Sequence, residues 1–326
     1  MTAALRTGPS ATSAATIAAQ ALVAEHLPRA IGLGADVAQQ VHDPEAFALA
    51  LRSGLADLAD PADLDGQRRV APGIGMIHGV RRPLLDAVAR SLRAATADDR
   101  ATTLLFVADR LLREPHLEAH WLAFGILERT IAGEPERSWQ LMRRAARNAA
   151  DWITVDCLAR PYAAGVAGEP YRWSELEQLV YSPSRWERRL VGSTVATLGH
   201  GRRRPAVGDI VASALPILEQ LMGDAEPDVQ KALAWAYRSL SALDRAAVTT
   251  ALEGAADIAA RTDDGHRAWV VREGSSKLDP ADAAALHARI RGIRRRADAP
   301  STSAAARTAA AFGRLPEPAA HPEPPL

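Results

Sequence analysis

From about residue 15 to residue 296 the chain is a succession of Ala-, Leu- and Arg-rich segments of about 10 to 16 residues, separated by short Gly, Pro or Asp breaks. The breaks fall at Asp60-Pro61, Pro72-Gly73, Arg113-Glu114-Pro115, Gly133-Glu134-Pro135, Gly168-Glu169-Pro170, Gly199 to Pro205, Glu226-Pro227 and Asp279-Pro280. At the last of these, Asp279 is placed to cap a helix whose first position is Pro280. Alternating β-branched runs closed by Asn-Gly-type turns, the mark of strands, are absent. A chain patterned this way folds as helix packed on helix. From Pro115 onward the breaks delimit helices that pair at about 35 to 45 residues per pair, a period that suits helical repeats in which each pair buries its apolar face only against its neighbours. Similarity between the pairs is weak, so periodicity alone leaves bundle and solenoid both open.

Residues 1–15 and 297–326 are rich in Ala, Pro, Ser and Thr and are expected to be disordered, the last stretch, from Leu315-Pro316-Glu317-Pro318 onward, favouring an extended conformation. One folded domain is therefore expected over 16–296. With 326 residues, 48% of them hydrophobic, the chain can bury a sizeable core. A single cysteine, Cys157, excludes an intramolecular disulfide framework and any cysteine-based zinc cluster. No signal peptide and no apolar run of about 20 residues is present, so a soluble, cytoplasmic protein without a membrane partner is expected. Lys and Arg total 39 and Asp and Glu 39, and this zero balance weighs mildly against a nucleic-acid partner. The arginines are clustered, however, at Arg143, Arg144 and Arg147, at Arg185, Arg188 and Arg189, at Arg202 to Arg204 and at Arg294 to Arg296. A neutral protein with one basic face can still hold phosphates.

Three helical segments each offer a chemically odd group off the apolar stripe. In Asp151-Trp152-Ile153-Thr154-Val155-Asp156, Trp152 and Asp156 stand one turn apart, while Val155 and Leu158 point elsewhere. Ser184-Arg185-Trp186-Glu187-Arg188-Arg189 starts a second helix with paired arginines. In the third, Val229, Leu233, Ala236 and Leu240 share a stripe that Trp235 leaves, standing near Lys231 and Arg238. Taken singly, each has an ordinary explanation. Asp156 can pair with Arg160, Trp152 can pack in the core, and Arg189 can be solvated surface. Other constellations are weaker: His116 and His120 flank Glu118 without a third metal ligand, and Gly73 to Gly79 follows no strand and lacks the phosphate-loop lysine.

Taken together and in order, Trp152-x-x-x-Asp156, Trp186-x-x-Arg189 and Lys231-Ala232-x-x-Trp235-x-x-Arg238 resemble the AlkD-like DNA alkylation repair proteins, which are HEAT-like-repeat DNA glycosylases. Arg272-Glu273 and Gly79-Val80-Arg81-Arg82-Pro83 match further elements of the pattern, which spans roughly 70–280. The resemblance implies an all-α HEAT-like solenoid that acts as a monomer on damaged double-stranded DNA. It implies hydrolytic excision of cationic alkylpurines without a metal or organic cofactor. Asp156, Trp152 and Trp235 would be the catalytic set, and Arg189, Arg188, Lys231 and Arg238 the DNA contacts. A cationic base departs neutral, so the enzyme's task would be to stabilise positive charge growing on the sugar and to present water. A carboxylate and indole faces can do both. A non-catalytic helical module that binds DNA or protein is the alternative, because such scaffolds often only bind.

Overall fold

The computed structural model describes residues 14–200 and 207–311. Among them are sixteen α-helices, two 3₁₀ turns and no strand beyond two isolated bridges. The chain divides into two compact units, one ending at Ser138 and one beginning at Trp139, where the sequence pattern suggested a single domain.

The first unit holds α1 (Ala14–Ala38), α2 (Pro44–Ala56), α3 (Pro61–Val70), α4 (Arg82–Ala95), α5 (Ala101–Leu111) and α6 (Leu117–Thr130). Helices α2 and α3 begin where capping chemistry says they should. Asp43 accepts from the amides of Glu45 and Ala46, and Asp60 accepts from Ala62, each just before a proline at the first helical position. The Gly73–Gly79 stretch is a turn-rich connection rather than a phosphate loop. Gly79 has φ +84° there, and a Cβ on it would sit 2.7 Å from that of Leu64. The Gly79 amide donates to the fully buried Glu118 carboxylate at 2.9 Å. Beside it the rings of His78 and His116 stack at 3.8 Å. Burial, with His116 next to it, lowers the pKa of His78 below its ordinary 6.5.

The boundary falls within α7 (Pro135–Asn148), and the second unit continues with α8 (Trp152–Gly168), α9 (Arg172–Gln178), α10 (Arg185–His200), α11 (Val207–Leu221), α12 (Pro227–Leu240), α13 (Arg245–Thr262), α14 (Gly265–Gly274), α15 (Pro280–Arg289) and α16 (Ala304–Ala311). Helices α8, α10, α12 and α14 lie side by side in one row, and α11, α13 and α15 lie in a second layer against them. This is the helical-repeat solenoid that the family resemblance implies, where the break spacing alone leaves bundle and solenoid open. The stripe Val229, Leu233, Ala236 and Leu240 is fully buried, as are Leu190, Val191 and Val195 on α10.

The contact between α10 and α12 is unusually close, and glycine is the reason. A Cβ on Gly192 would lie 2.8 Å from the backbone carbon of Ala232, and one on Gly199 would lie 2.8 Å from the Ser239 Cβ. Gly192 and Gly199 are two turns apart, as are Ala232 and Ser239, so the pairing also shows that the two helices run in the same direction.

Two sequence expectations are corrected. Asp279 occupies the position before α15 but makes no side-chain cap; its carboxylate instead receives Arg245 at 2.8 Å. The segment expected to be disordered from residue 297 is ordered as far as Ala311. The Thr302 amide donates to the Gly223 carbonyl at 2.9 Å, and the fully buried Ser303 caps α16 through the Ala306 amide at 3.1 Å. An Ala-rich stretch with a serine cap has enough helix propensity to form once a surface, here α11, receives it. The expectations for 1–13 and 312–326 lie outside the described residues.

Replacing Gly192 with Val forces α10 off α12. It is expected to lower stability by about 1–3 kcal/mol, the usual range for overpacking, read as a fall in the urea midpoint. An unchanged midpoint would show that the close approach is not a constraint. The lowered pKa of His78 means that the unfolded chain binds the proton first as pH falls below about 6.5. The neutral ring's contribution is therefore complete above that pH and is lost below it. His78→Asn is expected to flatten the decline in stability between pH 7 and 5.5, and parallel declines in the two proteins would refute this.

Candidate active site

The site lies within the second unit, on α8, α10 and α12. Asp151, 4% exposed, starts α8 by accepting from the Thr154 amide at 2.8 Å, which sets the phase of the helix. In that phase Val155 and Leu158 are buried, and Trp152 and Asp156 are left half-buried one turn apart. Pro161, inside the same helix, carries no N–H to offer the Cys157 carbonyl. Cys157 itself is half-buried.

Asp156 is braced by α10. Arg189 presents its guanidinium edge-on, with Nε 3.1 Å from Oδ1 and Nη2 2.8 Å from Oδ2, a bidentate fork. Ser193, one turn further along α10, donates its hydroxyl to Oδ1 at 2.7 Å. Nη1 of Arg189 donates to the Asp228 backbone carbonyl at 2.8 Å, at the start of α12. The Arg189 guanidinium also lies 5.8 Å from the Trp152 ring centroid. Its side chain is only 6% exposed, while that of Asp156 is 22% exposed. The carboxylate is thus gripped from behind by a buried cation and a buried hydroxyl while keeping a face to solvent. A charge that far inside the protein is tolerated because it is paired and hydrogen-bonded.

On α12, Trp235 is half-buried and outside the apolar stripe, as its helical position implied. Its ring centroid lies 6.4 Å from that of His200, which ends α10 with Nδ1 2.8 Å from the Ala196 carbonyl. Lys231 is exposed, 3.9 Å from the Asp228 carboxylate. Arg238 donates to the Glu273 carbonyl at 3.0 Å and ties α12 to the end of α14.

The remaining arginines divide by role. Arg188 is directed to the loops at the helix starts, where it holds the buried Asp224 at 2.7 Å and the carbonyls of Ser182 and Pro183. It is not brought to the Asp156 cluster. Arg143 pairs with Glu175 at 3.6 Å, and Arg296 with Asp263 at 2.8 Å. Arg272 donates to the Ile290 carbonyl at 2.9 Å, its pKa lowered by burial and then by Arg294. Arg202 to Arg204 lie outside the described residues. Trp186 is half-buried beneath Arg185, whose guanidinium is 4.6 Å from its ring centroid. His120 bonds the Glu114 carbonyl at 2.8 Å, and among the described residues no group of three His, Cys, Asp or Glu side chains is arranged to hold a metal. No helix of the described residues is long and apolar enough to cross a membrane.

Reading the sequence missed three contributors. Ser193 and the Asp228 carbonyl carry no motif, although Ser193 lies four residues after Arg189 and so shares its face. His200 sits at a helix end whose position depends on how α10 meets α12.

The fold and site define an all-α helical-repeat protein in which a braced carboxylate shares a helix face with one indole, while a second indole stands two helices along the row. Residues 51–278, well over half of the chain, match the family of DNA alkylation repair enzymes. The chain belongs to that family, and its role is in the repair of alkylated DNA. No curated protein matches it individually. The match reaches further toward the N-terminus than the motifs did, into α2.

Removing one partner from the Asp156–Arg189 pair should be costly. Arg189→Met is expected to lower stability by about 3 kcal/mol because it leaves a carboxylate half-buried and unpaired. Adding Asp156→Leu should restore part of that loss. Urea unfolding of the two variants checks this, and a double variant less stable than Arg189→Met would contradict it.

Proposed function

We propose that the chain is a monofunctional DNA N-glycosylase that excises cationic alkylated purines of the N3-methyladenine and N7-methylguanine type. It would act on double-stranded DNA, as a monomer in the cytoplasm. The observation that carries this reading is the bracing of Asp156. Its carboxylate is fixed from the protein side by Arg189 and Ser193, with one face left to solvent. An orienting grip of this kind suits electrostatic stabilisation, because the negative charge need not reorganise when positive charge appears opposite it.

The chemistry asks little else of the protein. In an alkylated purine cation the electron pair of the sugar–base bond leaves with the base, which departs neutral and needs no acid. Positive charge then grows on the deoxyribose ring. Asp156 stabilises that charge, and water adds to the anomeric carbon and gives up a proton toward the carboxylate or solvent. The faces of Trp152 and Trp235 attract cationic character, by about 0.5–2 kcal/mol each. They favour the charged lesion or sugar over a neutral nucleotide. Neither Lys231 nor Lys277, the chain's two lysines, joins the Asp156 cluster as a Schiff-base nucleophile. The expected product is an abasic site in an uncut strand. With Arg189 engaged by Asp156, the exposed Lys231 is the better candidate for a phosphate contact.

The deciding experiment is release of methylated bases from methylating-agent-treated duplex DNA by wild type and by Asp156→Asn. Wild type is expected to release them, and the variant to do so about 10² times more slowly or worse, the scale seen when a key electrostatic group is lost. Duplex binding without release by either protein would mean that the chain is a binding module.

A further inference from the structure

We infer that Ser193 is a positioning residue for the reaction, fixing which oxygen of Asp156 faces the reacting sugar. The inference rests on the reading of Asp156 as the reacting-site carboxylate. It starts from an asymmetry. Oδ1 takes two hydrogen bonds, from Arg189 Nε at 3.1 Å and from Ser193 Oγ at 2.7 Å, whereas Oδ2 takes Arg189 Nη2 at 2.8 Å. A carboxylate oxygen accepts about two such bonds. Oδ1 is therefore saturated by the protein, and Oδ2 keeps capacity for a water or for charge on a sugar.

The arginine fork cannot produce this result by itself. The terminal torsion of an aspartate is broad, and a guanidinium can follow a carboxylate as it rolls. Here the guanidinium is held by a third anchor, the Asp228 carbonyl at 2.8 Å, and the carboxylate by the serine. Ser193 is itself fully buried on α10, and its own carbonyl accepts from the Thr197 hydroxyl at 2.8 Å. A fully buried hydroxyl whose bond goes to the part-exposed Asp156 carboxylate is arranged for that carboxylate. Packing alone would be served as well by alanine, the residue that stands three positions further along the same helix at Ala196 and is equally buried.

The test uses the full chain and methylated duplex DNA, with base release followed at saturating protein, duplex affinity measured separately and thermal stability recorded. Ser193→Ala is expected to slow release by about tenfold or more, the equivalent of one hydrogen bond to a charged group. Its duplex Kd should stay at the wild-type value, and the variant should remain folded at the assay temperature. Ser193→Thr, which keeps the hydroxyl, is expected to release bases faster than Ser193→Ala. Release by Ser193→Ala at the wild-type rate would overturn the inference. So would a slowing explained by lost duplex affinity or by loss of folded protein at the assay temperature, or a threonine variant of wild-type stability that is no faster than alanine. Failure of the wild type itself to release bases would instead remove the glycosylase reading, and the role of Ser193 with it. The two failures are thus distinguishable.

Discussion

The distance between α10 and α12 sets how the residues of the candidate site stand to one another. Gly192 against Ala232 and Gly199 against Ser239 let two parallel helices meet with backbone nearly touching backbone. Because the two contacts are two turns apart, they set the register as well as the separation. That register places Arg189 under the first turn of α12, where it reaches the Asp228 carbonyl, and brings His200 level with Trp235. A larger side chain at either glycine would not merely loosen the packing. It would separate the indole on α12 from the carboxylate on α8, since α10 is the layer between them. In a repeat protein each element is held mainly by its neighbours, so a single interface can carry this much consequence.

The second consequence concerns arginine. A chain with nearly all its basic charge as arginine has enough of it to cover a phosphate-binding face. Many of these guanidinium groups instead perform internal work. Arg189 orients Asp156, Arg188 ties the loops before α10 and α12, and Arg272 gathers the carbonyls that follow α15. The fully buried Arg172 lies against the Trp139 ring. The planar fork suits this use, since it satisfies two or three acceptors in fixed geometry while remaining charged at depth. The zero net charge of the chain then reads differently. It reflects internal pairing of the two signs as well as surface charge, and weighs less against a nucleic-acid partner than the sum alone suggests.

The site joins these two features. Catalysis on an already cationic base requires one well-held negative charge more than it requires acid, base or metal. On the function proposed above, Asp156 meets that requirement because the groups that hold it, Arg189 and Ser193, are buried. The match to the family of DNA alkylation repair enzymes, over residues 51–278, contains all three helices that carry the site.

Helix content, helix starts and the odd residues were legible in the sequence because each depends on local chemistry. Asp-Pro junctions, the 3.6-residue apolar stripe and the departure of Trp235 from it are properties of one segment at a time. Trp152 and Asp156 could be placed on one face for the same reason. Local signals failed where a distant surface decided the outcome. Asp279 did not cap because Arg245 took its carboxylate, and residues 297–311 became ordered because α11 and the Gly223 turn were there to receive them. The partner of Asp156 was likewise beyond local reach. Arg160 is its neighbour along the chain, whereas Arg189 and Ser193 reach it only because α8 and α10 lie side by side. The sequence by itself determined that the chain is helical, where its helices begin and which residues leave their stripes. Only the tertiary structure decided which of those residues meet, because their meeting depends on a helix-to-helix distance that two glycines permit and no local pattern encodes.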